Sequence, residues 1–231
     1  MNRTVTILGA SSGIGRSVAA ACLARGDTVH GIARDAAALG TLPGLVAHPL
    51  DARDATALAA ALAQIGVMDH LVLTMNAGSA TGPFTGLALD RIRAAFDNKV
   101  FPYIAAILAV APRLTPLGTI TLVTGAAGRS AQRGMGVLAA TNGALNHLTE
   151  VLALELAPIR VNAVSPGVTA TNYWSGVPEA DRVAFLETMA SRTPVARVAT
   201  AEEIGAAVLF AMDHPFVTGT VIDCDGGARL K

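Results

Sequence analysis

A strand-like run, Thr4 to Gly9, passes directly into Gly9-Ala10-Ser11-Ser12-Gly13-Ile14-Gly15 and then into a helical pattern over Ile14–Arg25. No other stretch limits the fold as much. Glycines between a strand and a helix allow a tight turn and bring backbone N–H groups close to an anion at the positive end of the helix dipole. The remaining chain repeats the strand–helix alternation. Apolar runs at Thr28–Ala33, Leu45–Pro49, His70–Met75, Thr119–Thr124, Arg160–Ser165 and Thr220–Asp223 read as strands covered on both faces. Helical patterns fall between them at Asp54–Ile65, Leu87–Ala111, Gly136–Ala157, Glu179–Met189 and Ala201–Met212. The alternation predicts an α/β fold: a doubly wound parallel sheet with right-handed crossovers, in one domain over residues 1–231. Pro102 lies inside a helical pattern and predicts a bend there.

Composition narrows the function. At 52% hydrophobic and 15% charged, the chain cannot be a disordered one. Its 17 basic and 17 acidic residues cancel, so no long-range field draws it to nucleic acid or an anionic membrane, and a small molecule is the expected partner. Cys22 and Cys224 fit no metal or redox spacing and read as free thiols in a reducing compartment. No signal-peptide pattern opens the chain, and the longest apolar stretch, Tyr103–Ala111, falls short of the roughly 20 residues a span requires. A soluble cytoplasmic protein without a metal is expected. The alanine-rich, charge-poor segments Leu87–Ala111 and Gly136–Ala157 suit core packing and subunit contact equally well.

The spacing Gly9-x-x-x-Gly13-x-Gly15 is followed by Asn76-Ala77-Gly78 after the fourth strand, by Arg160-Val161-Asn162-Ala163-Val164-Ser165-Pro166-Gly167 at the sixth, and by Thr218-Gly219 and Asp225-Gly226-Gly227 at the close. In order and spacing these resemble the short-chain dehydrogenase/reductase family over essentially the whole chain, with Leu8 where the family usually has Thr. The resemblance implies a Rossmann sheet in the order 3-2-1-4-5-6-7 with a nicotinamide dinucleotide across the strands' carboxyl ends. It assigns Gly9, Ser11, Ser12, Gly13, Ile14 and Gly15 to the pyrophosphate turn and Asp51 to the adenine. Asn76, Ala77, Gly78 and Asn142 follow along the cofactor, with Pro166, Gly167, Thr169 and Thr171 toward the nicotinamide. It further implies a substrate lid near 171–195 and a homodimer or homotetramer built on the two long helices.

The second strand ends Gly31-Ile32-Ala33-Arg34-Asp35. An acidic residue at position 33 would bind ribose hydroxyls and repel a 2′-phosphate; Ala33 does neither, and Arg34 suits the phosphate. Asp35 lies at a distance that also suits a ribose. NADP(H) is expected over NAD(H), with Arg16 as a possible additional charge or a solvated helix residue.

The family's chemistry uses a Ser, a Tyr thirteen residues later and a Lys four beyond that, completed by an Asn on the preceding helix. Here Thr124-Gly125-Ala126-Ala127-Gly128 and Leu138-Ala139-Ala140-Thr141-Asn142-Gly143-Ala144-Leu145 match the surrounding motifs, so Ser falls at Gly125, Tyr at Leu138 and Lys at Asn142. No Tyr or Lys occurs between Gly125 and Pro166 to repair that register. Asn98 remains, with no lysine in register to relay to. Positioned acid–base catalysis is worth roughly 10²–10⁴-fold, and an oxyanion donor roughly another 10²–10³, so plain ketones are expected to be poor substrates. Three readings stay open: hydride transfer with an activated acceptor (iminium, quinone or polarised alkene), a non-redox cyclisation or isomerisation, and a non-catalytic cofactor-binding partner subunit. Tyr173, beside Trp174, is a candidate replacement acid as well as a candidate packing wall. His147 and His214 read as structural or surface residues.

Overall fold

The structure, a computed structural model, describes residues 2–78 and 80–230. Its strands are β1 (Thr4–Leu8), β2 (Thr28–Ala33), β3 (Val46–Pro49), β4 (Met68–Leu73), β5 (Leu114–Val123), β6 (Arg160–Pro166), β7 (Thr169–Ala170), β8 (Ala199–Thr200) and β9 (Val221–Cys224). All but β7 and β8 form one parallel sheet in the order β3-β2-β1-β4-β5-β6-β9. This is the expected Rossmann order. Only the numbering of the last strand differs, because β7 and β8 pair in a separate two-stranded ladder.

Strand alternation sends neighbouring side chains into two helical layers. Leu8, Leu71, Leu73, Leu122, Val161 and Ala163 face one core, and Ile7, Val72, Val123 and Val164 face the other. The first core is closed by α3 (Ala55–Ile65), α5 (Phe101–Val110) and α6 (Gly136–Glu155), through Leu58, Leu62, Ile107 and Leu145. The second is closed by α1 (Gly13–Ala24) and α8 (Ala201–Asp213), through Val18, Cys22, Ile204 and Val208. Each fully buried Leu or Ile contributes about 1.5–3 kcal/mol. Leu71, at 0% exposure between strands, is a position where truncation to Ala costs about 2–5 kcal/mol.

Two elements depart from expectation. A short helix, α2 (Ala36–Gly40), escaped the periodicity because it has barely one turn. The Leu87–Ala111 pattern resolves into α4 (Leu89–Ala95), a π-helical turn over Phe96–Val100, and α5. Pro102 explains that turn: lacking an N–H, it cannot donate to the carbonyl of Asn98, four residues earlier, and its ring would crowd that oxygen. The helix widens instead, and the N–H of Phe101 reaches back to the carbonyl of Phe96. The helical run Leu89–Arg113 is 25 residues long and by length and composition could cross a bilayer, contrary to the expectation of too short a stretch. Tyr103, Ala106, Ile107 and Val110 bury it against the sheet instead. The helix α7 (Glu179–Ser191) carries no buried residue.

Candidate active site

Because the sheet strands are parallel, their carboxyl ends share one edge, and the chain winds in opposite directions from β1 and β4. A crevice opens at such a switch point. Thr74, just past β4, clamps it by donating from Oγ1 to the carbonyl of Leu8 at 2.7 Å. The glycine turn packs on this clamp. A Cβ on Gly9 would lie 2.6 Å from Thr74 Oγ1, and one on Gly15 would lie 2.3 Å from the carbonyl oxygen of Gly9. Gly13 has φ +52°. Ser12, the N-cap of α1, makes no side-chain cap, and the first turn contains no acidic residue. The exposed N–H groups and uncompensated dipole therefore fit an anionic diphosphate.

Arg34 is exposed at the end of β2 and near enough to Asp51 to help lower that carboxyl's pKa, although the larger cause is the hydrogen bond from Arg53. The two candidates for a ribose contact now separate. Asp35 is the N-cap of α2, accepting from the N–H of Ala38 at 2.9 Å. Its carboxylate is thus engaged in holding α2, and Arg34 is left facing outward. Arg16 is neither a free charge nor merely solvated: it donates to the carbonyls of Ala38 at 3.2 Å and Thr41 at 3.4 Å, tying α2 to α1. At β4, Asn76 Oδ1 accepts from the N–H of Gly78 at 2.9 Å and shapes the loop, with Ala77 buried beneath.

Gly125 follows β5 and faces α6. A Cβ there would lie 3.2 Å from Nδ2 of Asn142, so the amide borders the space a side chain would fill. Leu138, one turn before Asn142, packs with Ala77, Ala80 and Val137 as an apolar wall. No lysine stands in register on α6, but one reaches this point through space. Lys99, carried by the π turn, is 4% exposed, and its Nζ donates to Oδ1 of Asn142 at 2.8 Å and to the carbonyl of Thr124 at 2.9 Å. Since an ammonium only donates, Oδ1 must face it, and Nδ2 donates to the carbonyl of Leu138 at 2.9 Å. Burial pulls the Lys99 ammonium down from 10.5 to about 7. Asn98, its neighbour, borders Gly78, where a Cβ would lie 3.4 Å from Asn98 Nδ2.

The two tyrosines serve different ends. Tyr103 is wholly buried, its hydroxyl set among the carbonyls of Leu73, Val123 and Met75 at 2.8, 3.0 and 3.1 Å, and burial raises its pKa far above the usual value. It ties the ends of β4 and β5 together. Tyr173 lies in a single helical turn, Asn172–Trp174, between β7 and α7. Its hydroxyl points to the carbonyl of Gly78 at 3.4 Å, and partial burial raises its pKa. Its ring meets Trp174 edge-on at 4.7 Å, and Trp174 packs on Phe185 of α7 at the same separation. Trp174 Nε1 donates to Thr169 at 2.9 Å, while Thr171 lies 3.3 Å from where a Gly13 Cβ would be. The segment Thr171–Trp174 thus reaches from the glycine turn to the β4 loop. Pro166 and Gly167 leave β6 beneath it, with Gly167 packed tightly on Asp225. Thr141 bonds along its own helix to Leu138, and His147 is exposed beside Glu150.

A sequence-family model described as enoyl-(acyl carrier protein) reductase matches residues 9–229. The L-xylulose reductase of Mesocricetus auratus is 32% identical over 241 aligned residues, covering 97% of this chain and 96% of that protein. This chain belongs to the short-chain dehydrogenase/reductase family. Among further members, the short-chain dehydrogenase/reductase ATR9 of Stachybotrys chlorohalonatus is 34% identical over 171 residues, 72% of this chain and 66% of that protein. A small-chain dehydrogenase solved in complex with NADPH is 35% identical and superposes with a TM-score of 0.91 over 100% of both chains. The signal that pointed to this short-chain dehydrogenase/reductase was therefore the ordered motif set. The one residue that reading missed is Lys99.

Proposed function

We propose that this protein is an NADPH-dependent reductase of a small, activated acceptor, working without the family's Tyr/Lys acid–base pair. The observation that carries the reading is the pairing of an uncapped glycine turn with a reaction space bordered by Gly125, Leu138 and Asn142 in place of Ser, Tyr and Lys. The turn from Gly9 to Gly15 holds the diphosphate and Arg34 the 2′-phosphate; NADPH bound there supplies hydride. The NADPH held by the 35%-identical small-chain dehydrogenase supports this choice of cofactor. Leu138 and the bare Gly125 make the substrate space roomier and less polar, which suits a flat acceptor such as an iminium, a quinone or a polarised alkene. Tyr173 and Trp174 cover it.

Exposed Phe101 and Leu108 on α5, with Val151 and Leu154 on α6, form apolar positions for self-association of the chain into a homodimer or homotetramer. We place the protein in the cytoplasm. The test is titration with NADPH and NADH, read on Trp174, the single tryptophan, followed by NADPH consumption with menadione, an N-methyl-dihydroisoquinolinium salt and cyclohexanone. Tighter binding of NADPH and turnover of an activated acceptor but not of cyclohexanone is expected. Absence of binding, or cyclohexanone as the fastest substrate, overturns the reading. NADPH binding without consumption transfers the protein to the non-redox or non-catalytic class.

A further inference from the structure

The reductase reading leaves three acceptor classes open, and the buried cation beside the substrate space separates them. Lys99 reaches that space from the π turn, not from α6, and among the described residues its hydrogen-bond acceptors are Asn142 Oδ1 and the Thr124 carbonyl. With Oδ1 held and one N–H given to Leu138, the amide nitrogen of Asn142 stands 3.2 Å from where a Gly125 Cβ would be, so the amide meets the substrate side at Gly125 and keeps a second N–H to donate. The groups facing Lys99 are uncharged: the Thr124 carbonyl from β5, the Asn142 amide from α6 and the Tyr103 ring from α5, 5.8 Å from Nζ. Burial alone perturbs it.

Resting on the reductase reading, we propose that Lys99 is a positioning residue that holds and polarises the Asn142 amide as hydrogen-bond donor to a substrate oxygen, selecting conjugated carbonyl acceptors such as quinones over iminium cations. An ammonium behind the donor favours negative charge developing on oxygen and disfavours a cationic substrate. For a quinone, hydride with its electron pair forms an O–H bond at the far carbonyl oxygen, the C=O π pairs reorganise through the ring, and negative charge develops on the carbonyl oxygen held by Asn142. A proton from solvent on that second oxygen completes the hydroquinone. No protein acid is consumed, which accords with Leu138 at the edge of the space.

The chain's two lysines, Lys99 and Lys231, make the test direct. In protein labelled with ¹³C at lysine Cε and ¹⁵N at asparagine side chains, the Lys99 signal is identified by its loss in Lys99→Met and the Asn142 signal by its loss in Asn142→Leu. The Asn142 Nδ2 resonance is expected to move with the same pH midpoint as Lys99, and to shift again when menadione is added to the NADP⁺ complex. In NADPH consumption, menadione should exceed the N-methyl-dihydroisoquinolinium salt, and Lys99→Met should lower the menadione kcat at saturating NADPH roughly 10- to 100-fold. The menadione rate in wild type should fall as pH rises through the Lys99 midpoint. An Asn142 resonance indifferent to the Lys99 titration overturns the proposal, as does a wild-type menadione rate in Lys99→Met. If wild type binds NADPH but consumes it with neither probe, the reductase reading fails, and the Lys99–Asn142 coupling is judged on the resonances alone.

Discussion

Replacing Lys99 by Met should make the protein's stability less dependent on pH, and the sign of the change should vary across the range. Burial lowers the folded pKa of Lys99 from 10.5 to about 7. Each unit is worth about 1.4 kcal/mol, so keeping this ammonium inside costs about 5 kcal/mol below neutrality. Between pH 7 and 10.5 the unfolded chain keeps a proton that the folded chain has released, so wild-type stability rises with pH across that window and is flat below it. Methionine keeps much of the length and removes the charge. It also strips the donor from Thr124 O and Asn142 Oδ1, at roughly 1–3 kcal/mol for each acceptor. Near pH 6 the two effects oppose each other, and the variant should lie within about 3 kcal/mol of wild type. Near pH 10 the charge penalty is largely gone in both proteins, and the variant should be less stable by roughly 2–6 kcal/mol. Urea denaturation followed by circular dichroism near pH 6, 8 and 10 measures the difference, in which titrations common to both proteins cancel. A Met-minus-wild-type difference that does not change with pH would show that Lys99 is not held as a buried, depressed ammonium.

Gly15→Ala places a Cβ 2.3 Å from a backbone oxygen and should destabilise the fold by about 1–3 kcal/mol while weakening NADPH at least tenfold; thermal melting and fluorescence titration check both effects. Arg34→Ala should raise the Kd for NADPH roughly 10- to 100-fold through loss of charge-assisted bonds and leave NADH unchanged, and equal losses for the two would remove Arg34 from cofactor choice. Tyr173→Phe loses only a 3.4 Å contact to Gly78 and should change kcat with menadione by less than about threefold, whereas a drop of about 10² or more would assign the proton to that phenol. Leu108→Glu with Leu154→Glu should lower the mass seen by light scattering if α5 and α6 form the subunit contact.

Much of this molecule was legible because its signals are local. The Leu71–Leu73 run of β4 is continuously apolar since both faces are covered, and β1, the glycine turn and α1 are contiguous in the chain. The role of Asp35 was not legible, because one turn of helix leaves no periodicity and a carboxylate at that distance suits a cap or a ribose equally. Lys99 shows a different limit. It stands four residues before Tyr103, on the stripe continued by Ala106, Ile107 and Val110, so a lysine on a buried face was visible in the pattern. Its partner was not. Asn142 lies 43 residues away on another helix, and the π turn that aims the side chain follows from Pro102 acting on the carbonyl of Asn98, not from any repeat. Matching positions along α6 led the sequence reading to Asn142. Chemistry depends on where the cation stands. There the sheet, by fixing α6 and the helix before β5 on the same face, brings a buried ammonium from one element against an amide from another, a juxtaposition that neither segment shows when read alone.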